Sequence, residues 1–195
     1  MEPFNVDLDK NYQAFDKLLT LQTQNKNIFI YGKPGVGKTT FLYDFSKKIN
    51  NQKVEISGYK VPKFNIMFFN VNDWIKDVQK TWKEENTFEG SIKINTQANI
   101  LLIDDLGSEF FHKSTMPSIL NLFEERYEHV QKNRNNSITL ITSNYSLDEL
   151  KDKYSNLVQD KAAIERLFSR IDGVIDKEIR FIGKDKRKEK NNLER

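Results

Sequence analysis

Residues 32–39 read Gly-Lys-Pro-Gly-Val-Gly-Lys-Thr, with Thr40 following, and that order of residue types suits a bound polyphosphate. Gly32, Gly35 and Gly37 let the backbone curl through Pro34 and Val36 until successive N–H groups point inward as an anion nest. A helix starting behind the loop adds the positive end of its dipole. Lys38 is the side-chain cation expected on the β and γ phosphates of ATP, and the Thr39 hydroxyl is expected as a ligand of the accompanying Mg2+. A tight strand-to-helix turn without ligand would need neither the lysine nor the hydroxyl.

A second acidic element completes this chemistry. Ile100-Leu101-Leu102-Ile103-Asp104-Asp105 is an apolar run closed by two carboxylates. Asp104 is expected in the metal shell, and Asp105 is placed to orient or deprotonate the attacking water. Asp105 is one methylene shorter than the glutamate more usual in that role, so Glu109, four residues on, is a second candidate base. Asn144 closes the run Thr-Leu-Ile-Thr-Ser-Asn, where its amide can position the lytic water and report the γ phosphate. The stretch DDLG also fits the DxxG of GTPases, but no NKxD guanine-reading motif follows it. ATP is therefore expected rather than GTP.

These residues sit at the ends of predicted strands. Residues 27–31, 65–70, 98–104, 137–144 and 174–182 are apolar or β-branched runs, and the one at 98–104 is continuous enough to be covered on both faces. Helical spacing is found around Tyr12, Phe15, Leu18 and Leu19, over 39–49, from Val71 through Trp74, Ile75 and Val78 to Trp82, over about 117–132, and near 162–171. Ser146 and Glu149 form a capping-box pair. Residues 50–63 are polar and read as a turn. Strands alternating with helices predict an α/β domain with a parallel sheet, whose ligand belongs at the strand C-terminal ends.

Composition narrows the remaining classes. The chain has 195 residues, no cysteine and two histidines, His112 and His129. Disulfides and Cys-ligated zinc are excluded. No run approaches the roughly 18 apolar residues of a membrane span, and the N-terminus lacks a signal pattern, so a cytoplasmic protein that does not engage the membrane is expected. The net charge of +3 resides in residues 184–195, where six basic side chains face three acidic ones. Residues 1–183 are expected to form one ATPase domain, followed by a basic tail suited to phosphate backbones.

Taken together, FNVDLDKN, GKPGVGKTT, ILLIDDLGSE, ITSN, ERLFSR and GKDKR resemble the AAA+ ATPases of the DnaC/DnaI helicase-loader and IstB group over roughly residues 4 to 187. The resemblance implies a P-loop NTPase fold of AAA+ type: a parallel five-stranded sheet of order 5-1-4-3-2 flanked by helices. A C-terminal lid would be reduced or absent. It also implies ATP held between the subunits of a homo-oligomer, with Arg170 as an arginine finger acting in trans and Arg166 sharing that role. Arg187 would be a sensor contacting phosphate in cis, and Val6 and Asp7 would line the adenine pocket. The implied function is slow ATP hydrolysis in DNA replication, with a replicative DNA helicase and single-stranded DNA as partners. An IstB-like role in transposition is the alternative within the group. A nucleotide-gated binding protein with little hydrolysis is the alternative outside it.

Overall fold

The computed structural model describes residues 4–7, 27–81, 96–109 and 114–185. Six strands, β1 (Phe4–Asp7), β2 (Ile28–Tyr31), β5 (Ile66–Asn70), β6 (Ile100–Leu106), β7 (Ile138–Ser143) and β8 (Lys177–Ile182), form one sheet in the order β1-β8-β2-β7-β6-β5. Every pairing in it is parallel. Numbered from the strand before the glycine-rich loop, the five expected strands lie in the expected order 5-1-4-3-2. β1 adds a sixth at the edge, beside β8.

Alternation along the strands explains why both faces are covered. Ile28, Ile30, Ile100, Leu102, Leu140 and Ile179 point to one side, where Phe41, Leu42 and Phe45 of helix α1 (Lys38–Asn50) pack on them. Phe29, Leu101, Ile103 and Ile141 point to the other, toward α2 (Val71–Thr81), α3 (Met116–Lys132), α4 (Leu147–Leu157) and α5 (Lys161–Val174). A β strand turns successive side chains to opposite faces, so a near-continuous apolar run serves two layers at once. Removing a buried ring such as Phe41, which is fully buried, typically costs about 3–5 kcal/mol.

Local signals set most element ends. The Ser146 hydroxyl accepts from the Glu149 N–H at 3.2 Å, and the Glu149 carboxylate accepts from the Ser146 N–H at 2.8 Å. This is the reciprocal cap expected at the start of α4. Pro117 falls in the first turn of α3, where its missing N–H costs nothing.

Three elements differ from expectation. Residues 50–63, read as a turn, contain an antiparallel hairpin of β3 (Lys53–Ile56) and β4 (Tyr59–Pro62). Ser57 and Gly58 both have positive φ, 51° and 84°, the pattern of the two-residue turns that match strand twist. α5 continues to Val174, beyond the expected end near 171, because Ile171 and Val174 are both buried in the core, and β8 accordingly starts later. β6 runs past Asp104 to Leu106 through an irregularity in its pairing with β7. The expected helix around Tyr12 to Leu19, Trp82 and His112 lie outside the described residues. Among the described residues no helix is long and apolar enough to cross a membrane.

Candidate functional site

The loop after β2 lies at the C-terminal edge of the sheet. Gly32 is packed so tightly that a Cβ there would collide with the Phe181 carbonyl of β8, and its N–H donates to the Ser143 carbonyl at 3.3 Å. The loop is thus fitted against the strands on both sides of β2. From it Lys38, only 7 % exposed, turns its ammonium back to three acceptors: the Gly32 carbonyl at 2.6 Å, the Lys33 carbonyl at 3.1 Å and the Asn144 amide oxygen at 2.9 Å. These three acceptors are neutral, whereas a phosphate arriving there brings the ammonium a full negative charge.

Thr39 and Asp104 meet next to it. The Thr39 hydroxyl is 3.1 Å from both oxygens of the Asp104 carboxylate. Asp104 is 6 % exposed and also accepts from the Thr142 hydroxyl at 2.6 Å, but it forms no ion pair among the described residues. A buried carboxylate served only by hydroxyls calls for a cation. The donor set fits Mg2+, which takes one or two protein oxygens and completes its shell with phosphate and water. The described residues contain no cluster of three or more histidine, cysteine or acidic side chains suited to a metal.

Asp105 stands at the irregularity in β6 with φ 64°, a left-handed conformation that short polar residues tolerate better than most. Its N–H donates to the Thr142 hydroxyl at 2.9 Å, and one carboxylate oxygen accepts from the Asn144 amide at 3.1 Å. Asn144 therefore bridges the lysine of the loop and the second carboxylate of β6. Thr142, which the sequence reading missed, ties both acidic residues to β7. Its position two residues before Asn144 on one strand was the available signal.

Glu109 is placed differently from the expectation of a second candidate base. It is 4 % exposed, accepts from the Gly107 N–H at 2.7 Å and from the Tyr154 hydroxyl of α4, and is held protonated to a higher pH than usual, chiefly by burial. Both oxygens are engaged in fastening the loop after β6 to α4. Lys153 of α4 donates to the Gly107 carbonyl in the same clamp. Asp105, half-buried and bonded to Asn144, is the better-placed carboxylate.

The remaining expected residues are spread around this cluster. A cavity of about 440 Å³ opens beside the loop, lined among others by Tyr31, Val36, Asn144, Arg180 and Phe181. Val6 and Asp7 pair in register with Phe181 and Ile182, which brings β1 to the rim of that cavity. Arg187 lies outside the described residues. Asp185, two positions earlier, approaches the loop so closely that a Cβ on Gly35 would collide with its carboxylate. Arg166 and Arg170 lie on α5, facing α3: the Arg166 Nε pairs with the Glu124 carboxylate at 2.5 Å, and the Arg170 guanidinium sits over the Tyr127 ring at 5.0 Å. None of their described contacts is with the glycine-rich loop.

Comparison with known proteins agrees with this geometry. The family model described as IstB-like ATP binding protein matches residues 3–188. The replicative helicase loader DnaI of Bacillus subtilis (strain 168) is 20 % identical over 154 residues, which cover 79 % of this chain and 44 % of that protein. A crystal structure of the DnaC helicase loader superimposes with a TM-score of 0.60 at 21 % identity, covering 92 % of this chain and 93 % of that one. A replication initiator DnaA bound to AMPPCP and single-stranded DNA gives a TM-score of 0.59 at 18 % identity, covering 89 % of this chain and 46 % of that one. The chain thus spans less than half the length of DnaI and of that DnaA chain. With the match running through nearly the whole chain, from β1 to the loop-facing Asp185, the protein belongs to the IstB-like ATP-binding protein family, whose fold it shares with the DnaC and DnaI helicase loaders.

Proposed function

We propose that the protein is an ATP-hydrolysing switch that acts in DNA replication as a helicase loader, in the cytoplasm and as a homo-oligomer in its ATP state. The observation that carries hydrolysis, as distinct from binding alone, is the Asn144 amide, which contacts both Lys38 and Asp105. In this reading the loop N–H groups and Lys38 hold the phosphates, and Thr39 with Asp104 holds Mg2+. When bound, Mg2+ neutralises charge on the β and γ oxygens. Asp105 accepts a hydrogen bond from the attacking water and lines it up with the γ phosphorus. Asn144, already joined to Asp105, exchanges its contact with Lys38 for the γ phosphate. Val6 and Asp7 flank the adenine, Arg187 contacts phosphate in cis, and Arg170 with Arg166 completes the site of a neighbouring subunit.

The likeness to DnaI supports helicase loading, and the DnaA neighbour bound to single-stranded DNA supports a DNA partner. A second reading, an IstB-like ATPase assisting transposition, is favoured by the family model's own description. A pull-down in ATP tests the two. Replicative helicase retained by the parent, and lost with Lys38→Ala, supports loading; retention of a transposase in its place supports the second reading. Phosphate release is measured alongside. Turnover no higher than that of Asp105→Asn would leave a nucleotide-gated binding protein.

A further inference from the structure

The β3–β4 hairpin forms its own two-stranded sheet, separate from the main one. Its register pairs Val54 with Val61 and Ile56 with Tyr59 on one face, and Lys53 with Pro62 and Glu55 with Lys60 on the other. On the apolar face Val54 and Val61 are half-buried, but Ile56 is 58 % exposed and Tyr59 75 %. An isolated hairpin is marginal in water, and an aliphatic–aromatic pair across its tip contributes at most about 1 kcal/mol. Both side chains are thus available for contact with a partner.

Charge identifies the partner. From the last turn of α1 through the hairpin, residues 47–63 contain Lys47, Lys48, Lys53, Lys60 and Lys63 against the single acid Glu55, a net of 5 − 1 = +4. The whole chain carries +3, so everything else sums to 3 − 4 = −1. Neither Lys53 nor Lys60 has an ion pair among the described residues. Lysine is depleted in the cores of protein–protein interfaces but supplies the counter-charge for phosphate backbones. A flat exposed ring flanked by lysines on a narrow ribbon suits unpaired bases, which stack on aromatic side chains while their phosphates meet the cations.

We propose that the β3–β4 hairpin and the end of α1 are a docking surface for single-stranded DNA, with Tyr59 as the stacking platform and Lys53, Lys60 and Lys63 as phosphate contacts. This rests on the reading of the protein as one that works on DNA. α1 starts in the phosphate loop at Lys38 and ends where the hairpin begins, so one rigid helix joins the two sites.

The test is fluorescence anisotropy of a labelled oligo-dT strand across a salt series, using the full chain with a non-hydrolysable ATP analogue. Tyr59→Ala should weaken binding roughly five- to hundredfold, and Tyr59→Phe should restore it. Replacing Lys53, Lys60 and Lys63 together by Gln should flatten the slope of log affinity against log salt by about 2. Analogue affinity should stay at the parent value in every variant. If the parent binds oligo-dT and the variants match it in affinity and slope, the hairpin is not the site, while the DNA reading stands. If the parent binds no oligo-dT, the DNA reading fails and the inference with it. Unchanged oligo-dT binding with lost helicase capture would make the hairpin a protein contact, and equal losses for duplex and single strand would remove the stacking role.

Discussion

Two cations are buried at opposite ends of the same parallel sheet, and they are held in different ways. At the C-terminal end Lys38 rests on two loop carbonyls and the Asn144 amide. At the N-terminal end Arg126, fully buried, donates to the carbonyls of Thr96, Ala98 and Ile138 and to the Thr139 hydroxyl. Neither has a carboxylate partner among these contacts. The lysine sits beside a cavity, on a flexible stem, with acceptors that an anion can outcompete. The arginine is locked by a planar fork whose donors match two carbonyls just before β6 and the opening residues of β7, with no solvent to replace them. The same physical need, acceptors for a buried charge, yields an exchangeable site where the strands end in loops and a fixed brace where they begin.

The largest expected effect asks whether the C-terminal end is complete within one chain. If Arg170 acts in trans, Arg170→Ala and Asp105→Asn should each lower ATP turnover, the arginine loss by roughly 10³ to 10⁵ in rate. Mixing them should recover activity, since an Asp105→Asn subunit lends its arginine to the intact site of its neighbour. Steady-state phosphate release at concentrations where the parent assembles reads this. A mixture as inactive as its components would leave Arg170 with only its stacking on Tyr127.

The contrast between the two cations is tested directly by a pair of substitutions. Arg126→Met leaves several strand-opening carbonyls without their donor and should cost about 3 kcal/mol or more, lowering Tm by roughly 6–12 °C for a chain of this size. Nucleotide affinity well below that Tm should not change. Lys38→Ala should do the reverse: affinity for a fluorescent ATP analogue falls roughly 10- to 150-fold, and Tm moves less than with Arg126→Met. Thermal melts and titrations of both variants measure this, and a shared pattern would erase the distinction.

The smallest effect concerns the clamp behind Asp105. Burial raises the Glu109 pKa, against the lowering influence of the Tyr154 hydroxyl, the Gly107 N–H and Lys153. Folding therefore favours the protonated acid. The stability this confers is complete below the unfolded-state pKa of about 4.3 and is lost as pH rises toward the raised folded value. Glu109→Gln, neutral throughout, should remove that dependence. The Tm difference, parent minus variant, should be greatest near pH 4 and decline toward pH 7; a flat difference would mean that folding leaves the Glu109 pKa unshifted, and a rising one that the fold favours the ionised form.

What could be read from the sequence was local. Gly32 to Thr39 is a contiguous backbone motif, Asp104 and Asp105 close an apolar run, and Asn144 closes another, so their chemistry follows from residue type and strand ends without knowledge of the contacts. The five main strands were legible for a similar reason, since each carries apolar or β-branched residues in a short run, continuous in β6 and alternating in β8. Tertiary structure alone decided what lies between distant segments. Thr142 joins both acidic residues only because β6 and β7 are parallel neighbours whose register shifts between Ile103 and Leu106. Arg126 reads as an ordinary helix cation until the ends of two strands close around it. Glu109 looked like a base from its distance to Asp105, and the fold turns it instead into α4. The hairpin was hidden because its residues are polar or β-branched without a core to face, and a polar turn has the same composition. In each case the deciding partner is a backbone or hydroxyl group brought close by long-range strand pairing, which side-chain spacing along the chain does not encode.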